Sequence, residues 1–442
     1  MSSSDRHLSL LVVRATCRPS WVWKRFWPQG LAGFSARCKA PSWGNVQKID
    51  GPALPRAALH RRDLRSEWGP PLEMRTAARG PATLSMLSAV LKLLTRERSP
   101  GQLYNAWLAH HYTSAEIVRH QPVRLGICTS FECNLACNMC PTHSRLVPDN
   151  PYKYKGAQTM SFELFRDIVD RFANAMIASF IGNGEPLLCP DLFEMIEYAR
   201  YKRRMSSSLC TNGVLLRKHL DRAVTAPLDI INISMNGHTP EHYEYITGQS
   251  PDLWRRIRDN VKALLDACRG RRRTPKIAIS VIIDRHTFRT IPDIIEFAEN
   301  LCVDSVSICQ VMPTAAKGRS AKERCVFASD QEARQLLETL HRRPTRVSVT
   351  LPALLDASAN TRVCRDAFYS MSVDGDGNVG GCERQLLNVE GNGAYRDPDV
   401  FNNTHFRKLR RALMGLDAEL PQPCRTCYNN TTYPMRPLNC PK

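Results

Sequence analysis

Three cysteines within eight residues constrain this chain more than anything else in it. The stretch Phe131-Glu132-Cys133-Asn134-Leu135-Ala136-Cys137-Asn138-Met139-Cys140-Pro141 spaces them C-x3-C-x2-C. Thiolates are soft ligands, and close spacing lets a single loop wrap one metal centre. A structural zinc ion takes four protein ligands, so three thiolates from one loop leave it incomplete. A cubane iron–sulfur cluster has four iron corners. Three cysteines hold three of them and leave one open to a ligand that is not protein.

The stretch resembles the cluster loop of the radical S-adenosylmethionine (radical SAM) enzymes. In that family the open iron of a [4Fe-4S] cluster is chelated by the amino and carboxylate groups of SAM. The family usually has an aromatic residue just before the last cysteine, packing near the adenine. Met139 stands there, and a flexible thioether fills the same apolar space.

From Pro122 the chain alternates strand and helix patterns. Strands are expected at 123–129, 176–181, 206–210, 228–235, 276–283 and 306–311. Helices are expected from Ser161, with Phe162, Phe165, Ile168, Val169 and Phe172 on one face, and at 190–202, 214–223, 253–268 and 291–301. Six strand–helix units with helical crossovers make a parallel α/β sheet. Periodicity alone does not separate a doubly wound open sheet from a partial barrel. The resemblance implies the partial (β/α)6 barrel of radical SAM enzymes over 122–315, followed by a linker with one helix at 330–341 within 316–360.

Ligands of such folds bind at the C-terminal ends of the strands, and the unusual loops fall there. After the second strand comes Gly182-Asn183-Gly184-Glu185-Pro186. Glycines let backbone approach a ligand closely. The family's counterpart, Gly-Gly-Glu, holds the SAM ammonium, so Gly182, Asn183, Gly184 and Glu185 are expected at the cofactor, with Asn183 replacing a glycine. Thr211-Asn212-Gly213 and Ser234-Met235-Asn236-Gly237 are turn sequences. By resemblance, Ser234 and Asn236 lie where the family binds the ribose and carboxylate of SAM. Asn212 lies near them, and Val281 lies where an apolar residue packs on adenine.

A second cysteine set begins at Cys364. Asp374-Gly375-Asp376-Gly377-Asn378 between short apolar runs reads as a tight hairpin that folds Cys382 back beside Cys364. After a helix at 405–414, Cys424 and Cys427 complete four thiolates. On chemistry alone these could hold zinc. Their order is similar to the SPASM and twitch extensions of radical SAM enzymes, which implies a second, auxiliary [4Fe-4S] cluster in 361–442, with Cys440 left over. A cluster held by four cysteines has no open iron and suits electron transfer. Cys189, Cys210, Cys268, Cys302, Cys309 and Cys325 have no paired spacing and read as ordinary buried residues.

Seven of the 17 cysteines fall into two groups with metal-ligand spacing, which points to a reducing cytoplasm. No apolar run approaches the roughly 20 residues that span a bilayer. The net charge is +19, and residues 1–120 carry 18 Lys/Arg against 7 Asp/Glu. No nucleic-acid motif accompanies that excess. Residues 1–83 hold five of the seven tryptophans among Arg, Pro and Ser, with no persistent period, and Cys17 and Cys38 there are weak ligand candidates. They read as a transit-like presequence or, by preference, as upstream sequence ahead of a true start at Met74 or Met86. A helical lead-in is expected over 84–121, with Leu84, Leu87, Val90, Leu91 and Leu94 in register and a second piece at 102–118.

The resemblance implies an enzyme that cleaves SAM reductively to a 5′-deoxyadenosyl radical, supplied by a donor such as flavodoxin or ferredoxin. That radical takes hydrogen from a small polar substrate, sugar- or aminocyclitol-like, and the auxiliary cluster accepts the substrate electron. Glu383, beside Cys382, and Asp284, at the end of the fifth strand, are candidate bases by position. The competing readings are a SPASM-type maturase of a ribosomally made peptide and, in another class, a non-catalytic zinc- or nucleic-acid-binding protein.

Overall fold

A nine-stranded sheet runs through the molecule in the order β7-β6-β5-β4-β3-β2-β1-β8-β9. The computed structural model describes residues 97–112, 114–146, 156–311, 321–355, 364–387, 389–416 and 419–421, with Cys424 and Cys427. All of these belong to one unit of the chain. The helix expected at 84–94, the readings of residues 1–83 and the place of Cys440 lie outside the described residues.

Helix α1 (Pro100–His111) leads in, and β1 (Arg124–Ile127) starts the sheet. Then follow α2 (Phe162–Arg171), β2 (Ile177–Phe180), α3 (Leu192–Tyr201) and β3 (Ser206–Thr211). Next come α4 (Leu220–Thr225), β4 (Ile230–Ser234), α5 (Pro240–Thr247), α6 (Pro251–Cys268) and β5 (Lys276–Ile283). The barrel strands end with α7 (Ile291–Leu301) and β6 (Ser305–Gln310). Beyond them lie α8 (Gln331–Leu340), β7 (Ser348–Thr350), α9 (Asp366–Tyr369), β8 (Ser370–Val373), β9 (Val379–Gly380) and α10 (Thr404–Leu413). Strands β1 to β7 pair in parallel in chain order, as helical crossovers require. The sheet does not close on itself, so the expected α/β architecture of a partial barrel is the one observed.

Alternation along the strands separates the two faces. On β5, Ile277, Ile279, Val281 and Ile283 are buried and join a core with Phe165 and Ile168 of α2, Leu192 and Ile196 of α3, Ile257 of α6 and Ile294 of α7. The other face is polar and small: Ser179, Ser208, Ser234, Ser280 and Ser307 stand on five successive strands. Ser234, Ser280 and Ser307 are register partners, and Ser208 Oγ donates to Ser179 Oγ at 3.1 Å. Val281 is therefore a core residue packed on the helices. This corrects its expected place at the adenine, because the residue one position either way has the face a ligand could reach.

Three elements differ from the sequence pattern. The lead-in helix stops at His111 instead of Val118, because the following chain folds back onto it. The Gln121 N–H donates to Asn105 Oδ1 at 2.8 Å, and Asn105 Nδ2 donates to the Gln121 carbonyl at 3.1 Å. Helix α5 was not expected, although Thr239 caps it, Pro240 opens it and Gly248 ends it at φ 67°. Finally, the hairpin of β8 and β9 does not stand apart. It forms as expected, with Val373 opposite Val379, but β8 also pairs in parallel with β1, Leu125 beside Met371. The second cysteine set is thus mounted on the sheet that carries the first.

One buried cation fastens this C-terminal part. Arg410 of α10 is fully buried. Its guanidinium donates to the carbonyls of Ala367 (2.8 Å), Glu116 (3.1 Å) and Phe401 (2.6 Å) and to Asn402 Oδ1 (3.0 Å), and it lies 4.5 Å from the Phe401 ring. Burial lowers its pKa to about 10, and the four acceptors satisfy it without a carboxylate. Arg410→Ala strands those acceptors, so it is expected to cost about 3 kcal/mol of unfolding free energy. Arg410→Lys is expected to recover little, since one ammonium cannot serve the fork. Denaturant titration checks both, and a loss below about 0.5 kcal/mol would refute the pin.

Candidate active site

The cysteine loop leaves the C-terminal end of β1 and is held from three sides. On one side, Phe131 N donates to Gln158 O at 2.8 Å. On the second, Asn138 N donates to Thr247 O at 2.8 Å, tying the loop to the end of α5. Gly248 has no room for a side chain there, since a Cβ would come 2.3 Å from Asn138 Nδ2. On the third side, Gly184 lies against the loop's backbone, where a Cβ would meet Glu132 O at 2.3 Å and Ser130 O at 2.5 Å.

Glu185 joins the loops after β1, β2 and β3. Its N–H donates to Glu132 O at 2.7 Å. Its carboxylate accepts from Thr211 Oγ1 (2.7 Å), Asn212 N (2.7 Å) and Leu187 N (3.1 Å). The residue is 2% exposed, and burial raises its pKa against those three donors. The carboxylate therefore faces the protein in this structure and positions the loops. Asn212 extends the same web, with Nδ2 donating to Asn134 Oδ1 at 2.7 Å and lying 3.9 Å from Cys133 Sγ.

Burial pushes the Cys133 thiol up to about 11 and the Cys137 thiol up to about 12. The charge of Cys140 adds to both shifts, which places the three sulfurs within one another's field. Cys140 Sγ lies 3.2 Å from Thr142 Oγ1 and accepts from His143 N at 3.3 Å. Thr142 Oγ1 and His143 Nε2 both donate to the Asn183 carbonyl, at 3.1 and 2.8 Å. Burial lowers the His143 pKa, against backbone hydrogen bonds to Asn183 and Phe131 that raise it. Sequence reasoning passed over these two residues; their signal was their place directly after the last cysteine. Met139 and Ser234 are half-buried and Asn236 is buried. Ser234 Oγ lies 3.7 Å from Cys210 Sγ, and Asn236 holds φ 57° with its N–H on Ser280 O.

The second set also converges. Cys364 lies in the field of Cys382 and Cys427, and Cys382 in that of Cys427 and Cys424. Burial drives the first two thiols well up and Cys424 up to about 11. Ala367, Phe368, Leu409, Leu413 and Leu420 wrap the group in apolar surface, and Gln385 Nε2 lies 3.9 Å from Cys424 Sγ. The two sets are linked. Asn183, whose carbonyl faces Thr142 and His143, also donates from Nδ2 to the Glu383 carbonyl at 3.3 Å, next to Cys382.

The two candidate bases part company. Asp284 is fully buried. Its oxygens accept from Arg324 (2.8 Å), Tyr245 (3.0 Å), His286 N (2.9 Å) and Thr287 (3.1 Å). Burial raises its pKa, but the Arg324 contacts outweigh that and the net shift is downward. In this structure Asp284 is a carboxylate whose oxygens are met by Arg324, Tyr245 and the turn at His286–Thr287. Glu383 faces the polar side of β1, where it pairs with Arg124 at 2.7 Å. Asp366 joins them, its pKa raised to about 6 by burial with Arg124 opposing.

Both cysteine sets fit clusters by a second criterion. Among the described residues, the Tyr243 hydroxyl and Arg384 Nη1 are buried polar atoms with no hydrogen-bond partner. Tyr243 lies in the field of Cys137 and Cys133, and Arg384 in that of Cys424. Among the described residues, no three His, Cys, Asp or Glu side chains converge as they would on a single ion. Thiolates around one zinc stand only about 3.8 Å apart, from bonds of about 2.3 Å; a cubane holds its thiolates farther apart.

Residues 127–298 match the family model described as the Radical SAM superfamily, so this segment is a radical SAM domain. Proteins of that superfamily bind a [4Fe-4S] cluster and SAM. A relative named probable GTP 3′,8-cyclase, from Methanocaldococcus jannaschii, is 29% identical over 188 residues, which is 42% of this chain and 57% of that protein. The chain thus spans little more than half of that relative's length. Among solved structures, Streptococcus suis SuiB bound to S-adenosylmethionine is similar in fold, with TM-score 0.53, 15% identity and 73% of each chain covered. The same SuiB bound to the precursor peptide SuiA gives TM-score 0.51 at 14% identity, covering 83% of this chain and 79% of that one.

Gly184→Ala drives a Cβ into backbone that cannot swing aside. It is expected to destabilise the domain by about 2 kcal/mol and to cut iron uptake at the three-cysteine loop severalfold. Iron analysis after anaerobic reconstitution and a melting curve check it, and normal uptake would refute the loop contact.

Proposed function

We propose that this chain is a radical SAM enzyme in which Cys133, Cys137 and Cys140 hold the SAM-binding [4Fe-4S] cluster. The observation that carries this reading is the three-cysteine loop at the end of β1 in a radical SAM domain, with Cys137 buried, Cys133 and Cys140 half-buried, and the Gly182–Glu185 loop folded against them. Bound there, the cluster and SAM supply reductive cleavage to a 5′-deoxyadenosyl radical, which takes a hydrogen atom from substrate. The chain's own residues do the rest. Gly182, Asn183 and Gly184 present backbone to SAM, while Glu185 and Asn212 fix the loops. Ser234 and Asn236 line the approach from β4, and Met139 offers an apolar side chain to the adenine.

Residues 361–442 form the auxiliary unit in this reading, with Cys364, Cys382, Cys424 and Cys427 holding a second [4Fe-4S] cluster. Four protein ligands would leave no open iron, so a cluster held there would supply electron transfer instead of substrate binding. The substrate class is small and polar, sugar- or aminocyclitol-like. A sheet face lined by five serines and the Arg124–Glu383 pair supports it, because such a surface meets hydroxyl and amino groups with hydrogen bonds. Glu383 takes the proton that leaves as the substrate is oxidised. The reductant is a low-potential donor of the flavodoxin or ferredoxin kind.

A second reading, a maturase of a ribosomally made peptide, draws support from SuiB, whose fold matches over most of both chains and which was solved with its precursor peptide. That likeness speaks for the fold. The absence of membrane spans is narrower still: among the described residues no helix is long and apolar enough to cross a membrane.

Anaerobic reconstitution tests the proposal. About eight iron per chain are expected, with 5′-deoxyadenosine formed after dithionite reduction. Cys137→Ala is expected to keep about four iron and form no nucleoside. Cys382→Ala is expected to keep nucleoside formation and lose substrate oxidation. One or two zinc per chain with no nucleoside would overturn the reading in favour of a non-catalytic metal-binding protein.

A further inference from the structure

Thr142 has one hydroxyl proton and two acceptors within reach of it. Its Oγ1 lies 3.2 Å from Cys140 Sγ and donates to the Asn183 carbonyl at 3.1 Å. The residue is buried, and the chain around it is closed. Cys140 N donates to Cys137 O at 2.9 Å, and Ser144 Oγ donates to Asn138 O at 3.0 Å. Pro141, between Cys140 and Thr142, has its φ fixed by its ring. Sulfur and hydroxyl are therefore held beside each other by the loop itself.

The direction of the Cys140–Thr142 hydrogen bond depends on what the sulfur carries. As a thiol, Cys140 donates to Thr142 Oγ1, while Thr142 donates onward to Asn183. Iron takes cysteine as thiolate, and the thiol proton leaves for solvent. A lone pair of Oγ1 then faces a charged sulfur unless the hydroxyl turns. Turning is rotation of a hydroxyl proton about its C–O bond and moves no heavy atom. A hydrogen bond to a charged group contributes about 1.5–3 kcal/mol, against about 0.5–1.5 kcal/mol between neutral groups. The carbonyl left behind keeps His143 Nε2 at 2.8 Å. The balance therefore favours the thiolate, which also accepts from His143 N at 3.3 Å.

We propose that Thr142 is a two-position donor: it serves the Asn183 carbonyl while Cys140 is a thiol, and turns to Cys140 Sγ when that sulfur holds the cluster. The inference rests on the cluster assignment above. Reduction adds negative charge to the cluster and its sulfurs, so the turned hydroxyl stabilises the reduced form more than the oxidised one. Thr142 is a positioning residue that acts through Cys140.

Redox titration by electron paramagnetic resonance tests this on the reconstituted full chain, following the signal that added SAM perturbs. Thr142→Val keeps the branched shape and loses the hydroxyl, whereas Thr142→Ser keeps the hydroxyl. At a fixed poise the ratio of reduced to oxidised cluster is expected to fall about tenfold in Thr142→Val, equivalent to about 59 mV for one electron, and to stay within about twofold of the unchanged chain in Thr142→Ser. The unchanged reduced cluster is expected to couple to two protons that exchange in heavy water, the His143 amide and the Thr142 hydroxyl. Isotopic labelling of the His143 nitrogen tells them apart, and Thr142→Val is expected to lose only the second. If Thr142→Val fails to load iron, the unchanged chain decides, and coupling to the amide proton alone would overturn the proposal. A loaded Thr142→Val cluster with unaltered potential would overturn the role of Thr142 and leave the cluster assignment standing. An unchanged chain that takes up no iron at the three cysteines would overturn the assignment, and this inference with it.

Discussion

Everything at the mouth of the sheet depends on the buried carboxylate of Glu185. Three strands end there, and each loop beyond them would be mobile alone. The loop after β1 meets Glu185 through Glu132 O, the loop after β2 contains it, and the loop after β3 donates Thr211 and Asn212 to it. Taking a carboxylate out of water is costly unless its lone pairs are met. Here they are met by groups from separate strands. Burying the carboxylate in this way brings Asn212 Nδ2 within 3.9 Å of Cys133 Sγ.

The division of the sheet into two unlike faces sets where chemistry can occur. Isoleucine and valine on one side pack against helices and supply the apolar burial that holds a parallel sheet. Serines on the other side give hydrogen-bonding capacity without bulk, which keeps that face open to a ligand. Arg124 is the exception in an otherwise small and neutral surface. Burial works against its charge, and Glu383 and Asp366 restore it.

Much of this was legible in the residues. The spacing of Cys133, Cys137 and Cys140 and the strand–helix alternation after Pro122 are local signals, carried by chemistry and period. The hairpin at Asp374–Asn378 was readable for the same reason, since turn residues act over a few positions. What could not be read was non-local. That β8 pairs with β1 is a contact across some 245 positions of sequence, visible only in the register of Leu125 with Met371. A strand's facing, as at Val281, and a carboxylate's partners, as at Asp284, depend on neighbouring elements. Arg324, which neutralises Asp284, comes forty residues later.

Asn183 stands where a second glycine would have sufficed for a tight turn, and its side chain makes a difference glycine could not. Its carbonyl is gripped by Thr142 and His143 from the first cysteine loop, and its amide grips the Glu383 backbone of the second. A single residue thus adds a direct tie between two cysteine sets that the β1–β8 pairing already mounts on one sheet. The two sets are thereby joined across one residue as well as along the long chain segment between them.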